Sequence, residues 1–223
     1  MDTADKVNWC EETLPHATKK ALQYLSGCEW IRSSSWYLAG GTALALQAGH
    51  RTSVDLDFFT KEKEFPHASI TAYMPEEDWI SDIERPGTLY GRLHGAQISF
   101  IAYPFFIPKE PMLHYGTVSV LSARDIAVMK IVAISQRGRK RDFIDLYWYA
   151  TNKEPLEDVI KRLPEQYPTV AHDYQHIMKA LIYFADAEED PMPVLNFDAD
   201  WETVKAYFRR EVPAITKRLL KLS

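Results

Sequence analysis

The chain is short of cysteine. Cys10 and Cys28 are the only two in 223 residues, too few and too isolated for a disulfide framework or a four-thiolate metal site, so a reducing compartment is the simplest expectation. Glycine is scarce at 9 residues, and no internal repeat or low-complexity tract occurs, which argues against fibrous architectures and extended disorder. A long apolar run is also missing: residues 98–108, the most apolar stretch, reach only about half of a membrane span and include Pro104 and Pro108. Basic excess is absent, because 26 Lys and Arg stand against 31 Asp and Glu for a net charge of -5. Such a field does not coat nucleic acid, although it leaves room for a local basic patch. Residues 1–10 carry Asp2, Asp5 and Lys6 without an apolar core segment, which predicts a soluble cytoplasmic protein with no secretory signal.

What is present is an ordinary globular composition, 46% hydrophobic, 13% aromatic and 26% charged, long enough to bury a core as one unit or two small interdependent domains. Apolar residues at three- and four-residue spacing predict an amphipathic helix over 11–31, broken at Pro15 and ending near Gly27. A short apolar segment at 36–39 runs into Gly40 and Gly41, then a helix over 42–48 that stops at Gly49. Alternation predicts a strand over 54–59, with Val54, Leu56 and Phe58 facing the core; a helix at 66–74 and strands at 79–83, 88–93 and 97–103 follow. Beyond Thr117 the pattern turns helical, over 122–136, 141–149, 156–163, 170–185 and 201–220. The expected division is an α/β domain over 1–116 and a helical domain over 117–223, with a nucleotide cleft between them.

The segment 37–59, YLAGGTALALQAGHRTSVDLDFF, concentrates the chemistry. Gly40 and Gly41 let backbone approach a ligand, and the helix start that follows offers free amides and a positive dipole end to a phosphate, with the Thr42 hydroxyl as a further donor. A strand places Asp55 and Asp57 on one face, about 7 Å apart at Cα. Two neighbouring carboxylates repel, and a hard divalent cation shared with substrate phosphates relieves that repulsion. Phosphoryl and nucleotidyl transfer use such ions. His50, Arg51 and Ser53 lie beside the pair; Arg51 is a candidate triphosphate contact, whereas His50 reads as a loop side chain.

Gly-Gly-Thr, a short helix and then apolar-Asp-apolar-Asp-apolar resembles the signature of the DNA polymerase β-like nucleotidyltransferase superfamily. The words GGTALALQAGHRTSVDLDFF and MKIVAISQRGRKRDFIDLYWY are similar, more narrowly, to the AbiEii/AbiGii nucleotidyltransferase toxins of type IV toxin–antitoxin and abortive-infection systems. The resemblance spans about 36–149. It implies an α+β fold, a polymerase β-like mixed sheet with flanking helices followed by an all-α half. It further implies that Gly40, Gly41 and Thr42 shape the phosphate turn, that Asp55 and Asp57 hold Mg²⁺ or Mn²⁺, that Lys130 contacts nucleotide phosphates, and that Asp142 is the downstream acid. A nucleoside triphosphate donor, an RNA acceptor such as tRNA and a cognate antitoxin come with it.

Many polymerase β-like enzymes carry a third acid on a later strand, where this chain has Gln97 and Ser99; neither is a strong base at neutral pH. Either the two strand carboxylates suffice, or Asp142, three residues from Asp145 on the same helix face, supplies the missing function, or the protein is catalytically weak. Arg124, Lys130, Arg137, Arg139, Lys140 and Arg141 oppose only Asp125 over 124–141, a local charge of +5. Arg137, Arg139, Lys140, Arg141 and Asp145 are therefore candidate acceptor or phosphate contacts. Tyr147, Trp148 and Tyr149 read as core, and Phe105 and Phe106 as a connection between domains. Two further readings stay open: the same transfer onto a small molecule such as an aminoglycoside or onto a protein hydroxyl, and a catalytically silent module of this fold that binds a nucleotide or a protein.

Overall fold

The computed structural model describes residues 7–219, which fall into two compact units, one ending at Ala123 and the other beginning at Arg124. The division lies past the expected 116/117 because Val118–Val120 is a strand of the sheet.

In the first unit the expected N-terminal helix is three pieces: a 3-10 turn Glu11–Thr13, α1 (His16–Leu25) and α2 (Glu29–Arg32). Pro15 caps α1, its fixed φ suiting a helix start, and Ala21, Leu22 and Leu25 bury the inner face. β1 (Tyr37–Ala39) leads directly into α3 (Gly40–Ala48) and then β2 (Leu56–Thr60). The strand begins two residues later than alternation implied. Val54 is 49% exposed instead of facing the core, and its carbonyl accepts from the Thr18 hydroxyl at 2.7 Å. A short α4 (Ala68–Thr71) precedes β3 (Trp79–Arg85), β4 (Thr88–Leu93) and β5 (Ala96–Ala102), and two three-residue strands, β6 (Leu113–Tyr115) and β7 (Val118–Val120), close the unit.

All seven strands form one mixed sheet in the order β3-β4-β5-β2-β1-β7-β6. β2 runs antiparallel to β1 and parallel to β5, so the acid-bearing strand is central and its ends are fixed from both sides. One face is the core: Leu38, Leu56, Phe58, Ile98, Phe100 and Leu89 are fully or almost fully buried. Phe58 stacks on Phe100 at 5.1 Å, and Trp36 meets Phe100 edge-on at 5.2 Å. Gly91 of β4 is needed for packing. A Cβ there would stand 2.4 Å from the Trp79 ring, which lies across the strand. Helix α3 is apolar enough to be buried along nearly its whole length, with Gly49 in the left-handed region as its stop.

The second unit is helical: α5 (Ala123–Arg137), α6 (Lys140–Asn152), α7 (Leu156–Lys161), α8 (Leu163–Gln166), α9 (Tyr174–Ala180), α10 (Ala185–Glu188) and α11 (Trp201–Leu219). The single helix expected over 170–185 is divided between α9 and the start of α10. Phe143 of α6 collects Phe184, Trp201 and Phe208 within 5.2–5.8 Å, the aromatic centre of this core. Tyr149 is also buried, its hydroxyl donating to Glu154 at 2.7 Å. Among the described residues no helix is long and apolar enough to cross a membrane.

Candidate active site

The site of the first unit grows from the point where β1 becomes α3. Ala39 stands opposite Asp57, and the next residue, Gly40, has φ +68°. A Cβ at Gly40 would lie 2.9 Å from Asp57 Oδ2. Glycine is therefore required twice, for the left-handed backbone and for the carboxylate to rest against the first turn of the helix. That turn carries amides without intrahelical partners and the positive dipole end, a setting that suits an anion.

Thr42 points inward. It is 1% exposed, its hydroxyl hydrogen-bonds the Ser53 hydroxyl at 2.9 Å and donates to the Asp55 carbonyl. Its part is to pin 53–55 to α3, which fixes where Asp55 enters the site. Asp57 is held from the other side, since Ser99 Oγ donates to its Oδ1 at 2.7 Å. Ser99 is the β5 residue in register with Asp57, so the serine occupies the place where sequence reasoning looked for a third acid. A hydroxyl there cannot bind a proton or an ion as an acid would, but it orients the neighbouring carboxylate. The signal for that role is present in the sequence only as an absence.

Asp55 and Asp57 are both half-buried at one end of β2. The donor set suits a hard divalent ion: carboxylate oxygens, a cradle that any residue larger than Gly40 would fill, and a helix start for the phosphates that complete the shell of Mg²⁺. Among the described residues no three His, Cys, Asp or Glu side chains gather as a metal cage. Arg51 and His50 are buried, 3% and 2% exposed, and Arg51 Nη1 donates to the Thr52 carbonyl at 2.9 Å.

The remaining site residues of the sequence reading belong to the second unit. Lys130 of α5 lies 2.7 Å from Asp142 Oδ1 and 2.7 Å from Asp145 Oδ2 of α6, and Arg137 Nε lies 3.0 Å from Asp142 Oδ2. Both aspartates are fully buried and Lys130 nearly so. Burial pushes the Asp142 carboxyl upward, but the charges of Lys130 and Arg137 outweigh it and hold the group below the usual carboxylate range. With both oxygens engaged by cations, Asp142 is a poor proton acceptor. Of the basic segment only Lys130 and Lys140 are buried, while Arg124, Arg137 and Arg139 are exposed but engaged by carboxylates. Arg139 pairs with Asp190 at 2.8 Å, and Lys140, 6% exposed, donates to the carbonyls of Glu188 and Asp190; Arg141 is exposed.

The two halves of this pattern, the Gly40–Asp57 corner and the lysine–aspartate cluster, fall within one family description. The model of the nucleotidyl transferase AbiEii toxin family, type IV toxin–antitoxin system, matches residues 31–89 and 91–219. The chain belongs to that family. A relative, the uncharacterized protein aq_aa25 of Aquifex aeolicus, is 36% identical over 184 residues, covering 80% of this chain and 87% of the relative. The fold of JHP933 from Helicobacter pylori is similar, with 19% identity and a TM-score of 0.53 over 93% of this chain and 95% of that one. MenT4, a nucleotidyltransferase toxin of Mycobacterium tuberculosis, aligns at 16% identity and a TM-score of 0.48 over 91% of this chain and 93% of its own. The AbiEii chain is accordingly a nucleotidyltransferase of the α+β class, and its family implies a nucleoside triphosphate donor and a cognate antitoxin.

Proposed function

We propose that this AbiEii-family protein moves a nucleotide from a nucleoside triphosphate to a hydroxyl of an RNA acceptor, tRNA foremost, as the growth-arresting toxin of a type IV or abortive-infection system in phage defence, acting in the cytoplasm. The observation that carries the reading is the close approach of the Asp57 carboxylate to Gly40 in the first turn of α3, which would put a phosphate and a carboxylate-bound ion side by side. Gly40 and Gly41 would present backbone amides to the triphosphate, Thr42 would hold the turn, and Asp55 and Asp57 would hold Mg²⁺ or Mn²⁺. The ion supplies neutralisation of phosphate charge and polarisation of the attacking oxygen. The acceptor hydroxyl oxygen bonds to the α-phosphorus, the bond from that phosphorus to the bridging oxygen breaks, pyrophosphate leaves and the hydroxyl proton passes to water. On the helical unit, Lys130 would meet phosphate, with Asp142 and Asp145 orienting its ammonium, and Arg51 and the exposed Arg141 would be secondary contacts.

The test incubates the purified chain with each of four α-labelled nucleoside triphosphates, Mg²⁺, and total RNA, an aminoglycoside or a protein mixture. Label should enter RNA, vanish with Asp55→Ala or Asp57→Ala, and vanish with chelator. Label in the aminoglycoside or protein fraction alone would replace the acceptor, and full labelling of RNA by both variants would overturn the site.

A further inference from the structure

The face of the sheet that carries Asp57 continues outward past it. Residues directly opposite in neighbouring strands share a face, and Asp57 is in register with Ser99, Ser99 with Tyr90, and Tyr90 with Ile83. The row therefore crosses β2, β5, β4 and β3 on one side of the sheet. A second row beside it joins Gln97, Arg92 and Ile80. The other side of the same strands is core, with Ile98, Phe100 and Leu89 buried, whereas Tyr90 is 41%, Ile83 41% and Ile80 53% exposed. Adjacent strands are about 4.8 Å apart, so the Tyr90 backbone lies roughly 10 Å from that of Asp57.

From this row we infer that Tyr90 is a stacking platform for an unpaired nucleobase at the acceptor end, the residue that favours RNA over other hydroxyl acceptors; the inference rests on the nucleotidyl transfer proposed above. Direction supports the assignment. The helix start that suits phosphate lies on the β1 side of Asp57, and the Tyr90 row leaves on the β5 side, so donor phosphates and acceptor base approach the carboxylate from opposite flanks. Charge supports it too. Arg92 is held by Asp82 through Nε at 3.2 Å and Nη2 at 3.1 Å, which leaves the platform nearly neutral. A neutral aromatic surface beside the exposed Gln97 amide fits an uncharged base with hydrogen-bonding edges better than a phosphate or a polyamine.

Kinetics with a labelled triphosphate and a five-nucleotide single-stranded RNA bearing a free 3′ hydroxyl test the idea in the full chain. Tyr90→Ala should raise the acceptor KM about tenfold or more, the size typical of losing one base stack, while the triphosphate KM stays within about twofold. Tyr90→Phe and Tyr90→Trp should restore it. An unchanged acceptor KM, or a rise in the triphosphate KM alone, would overturn the platform. Fluorescence anisotropy of the same labelled RNA on Asp57→Asn, with and without Tyr90→Ala, reads binding without turnover. If Asp57→Asn still transfers nucleotide while Tyr90→Ala weakens RNA binding, the catalytic reading falls and the platform stands; if Asp57→Asn is inactive and Tyr90→Ala binds RNA equally well, the reverse holds.

Discussion

A single hydrogen atom at the α-carbon of Gly40 decides whether Asp57 can sit where it does. Any larger side chain would stand 2.9 Å from Oδ2 and would also have to accept φ +68°. Gly40→Ala is expected to cost about 1–2 kcal/mol in stability through the left-handed backbone alone. The effect on transfer should exceed what that loss explains, because the carboxylate must shift away from the helix start. Comparing denaturant midpoints with initial labelling rates checks this: a variant that loses stability yet keeps its rate would show that the contact is architectural. The turn at Gly40 and the alternation around Asp57 were legible in the sequence because both are local, within 18 residues, whereas Asp55 precedes the strand on which alternation had placed it. The inward turn of Thr42 and the donation from Ser99 were not, since each depends on which strand lies next door.

At the scale of elements, α5 and α6 are joined by ions as well as by apolar packing. Lys130 sits between Asp142 and Asp145, and Arg137 closes the other side of Asp142, so the four charges cancel. Removing the ammonium leaves the buried cluster with a net charge of -1, Asp142 keeping Arg137 and Asp145 losing its ion pair to Lys130. Lys130→Met is expected to lower stability by about 3–5 kcal/mol, and a urea midpoint within error of wild type would refute that. The pH dependence has a definite sign. Asp142 is held below its ordinary value, so it contributes stability that is complete above an unfolded pKa of about 3.9 and is lost as pH falls through the lower folded value. The wild-type urea midpoint should therefore drop from about pH 4 downward. Asp142→Asn should be weaker at neutral pH and lose less on acidification. Helical spacing exposed the Asp142 and Asp145 face, yet the pairing to Lys130 spans 12 and 15 positions and follows from how two helices meet. The strands β6 and β7 escaped the sequence for a related reason, as three residues carry too little alternation to register without the partners that hydrogen-bond them.

For the molecule as a whole, net charge proved less informative than pairing. The segment 124–141 sums to +5 in sequence, but Arg137, Arg139 and Lys140 bond to Asp142, Asp190 and the carbonyl of Glu188. Five unpaired cations on a single-stranded RNA would give a slope of log K against log salt near -3.5. A clearly shallower slope is expected here, measured by anisotropy between low and moderate salt, and a slope as steep as that value would mean the cluster opens to meet RNA.

The sequence alone determined the turn at Gly40, the mixed α/β-then-helical order and the family, because these rest on residue types at short fixed spacing. Only the tertiary structure decided that Ser99 steadies Asp57, that the lysine and the later aspartates neutralise one another in a buried cluster, and that Tyr90 lies on the face of the carboxylate. Each of those depends on strand register or helix contact, and a linear chain carries neither until its hydrophobic surfaces have been brought together.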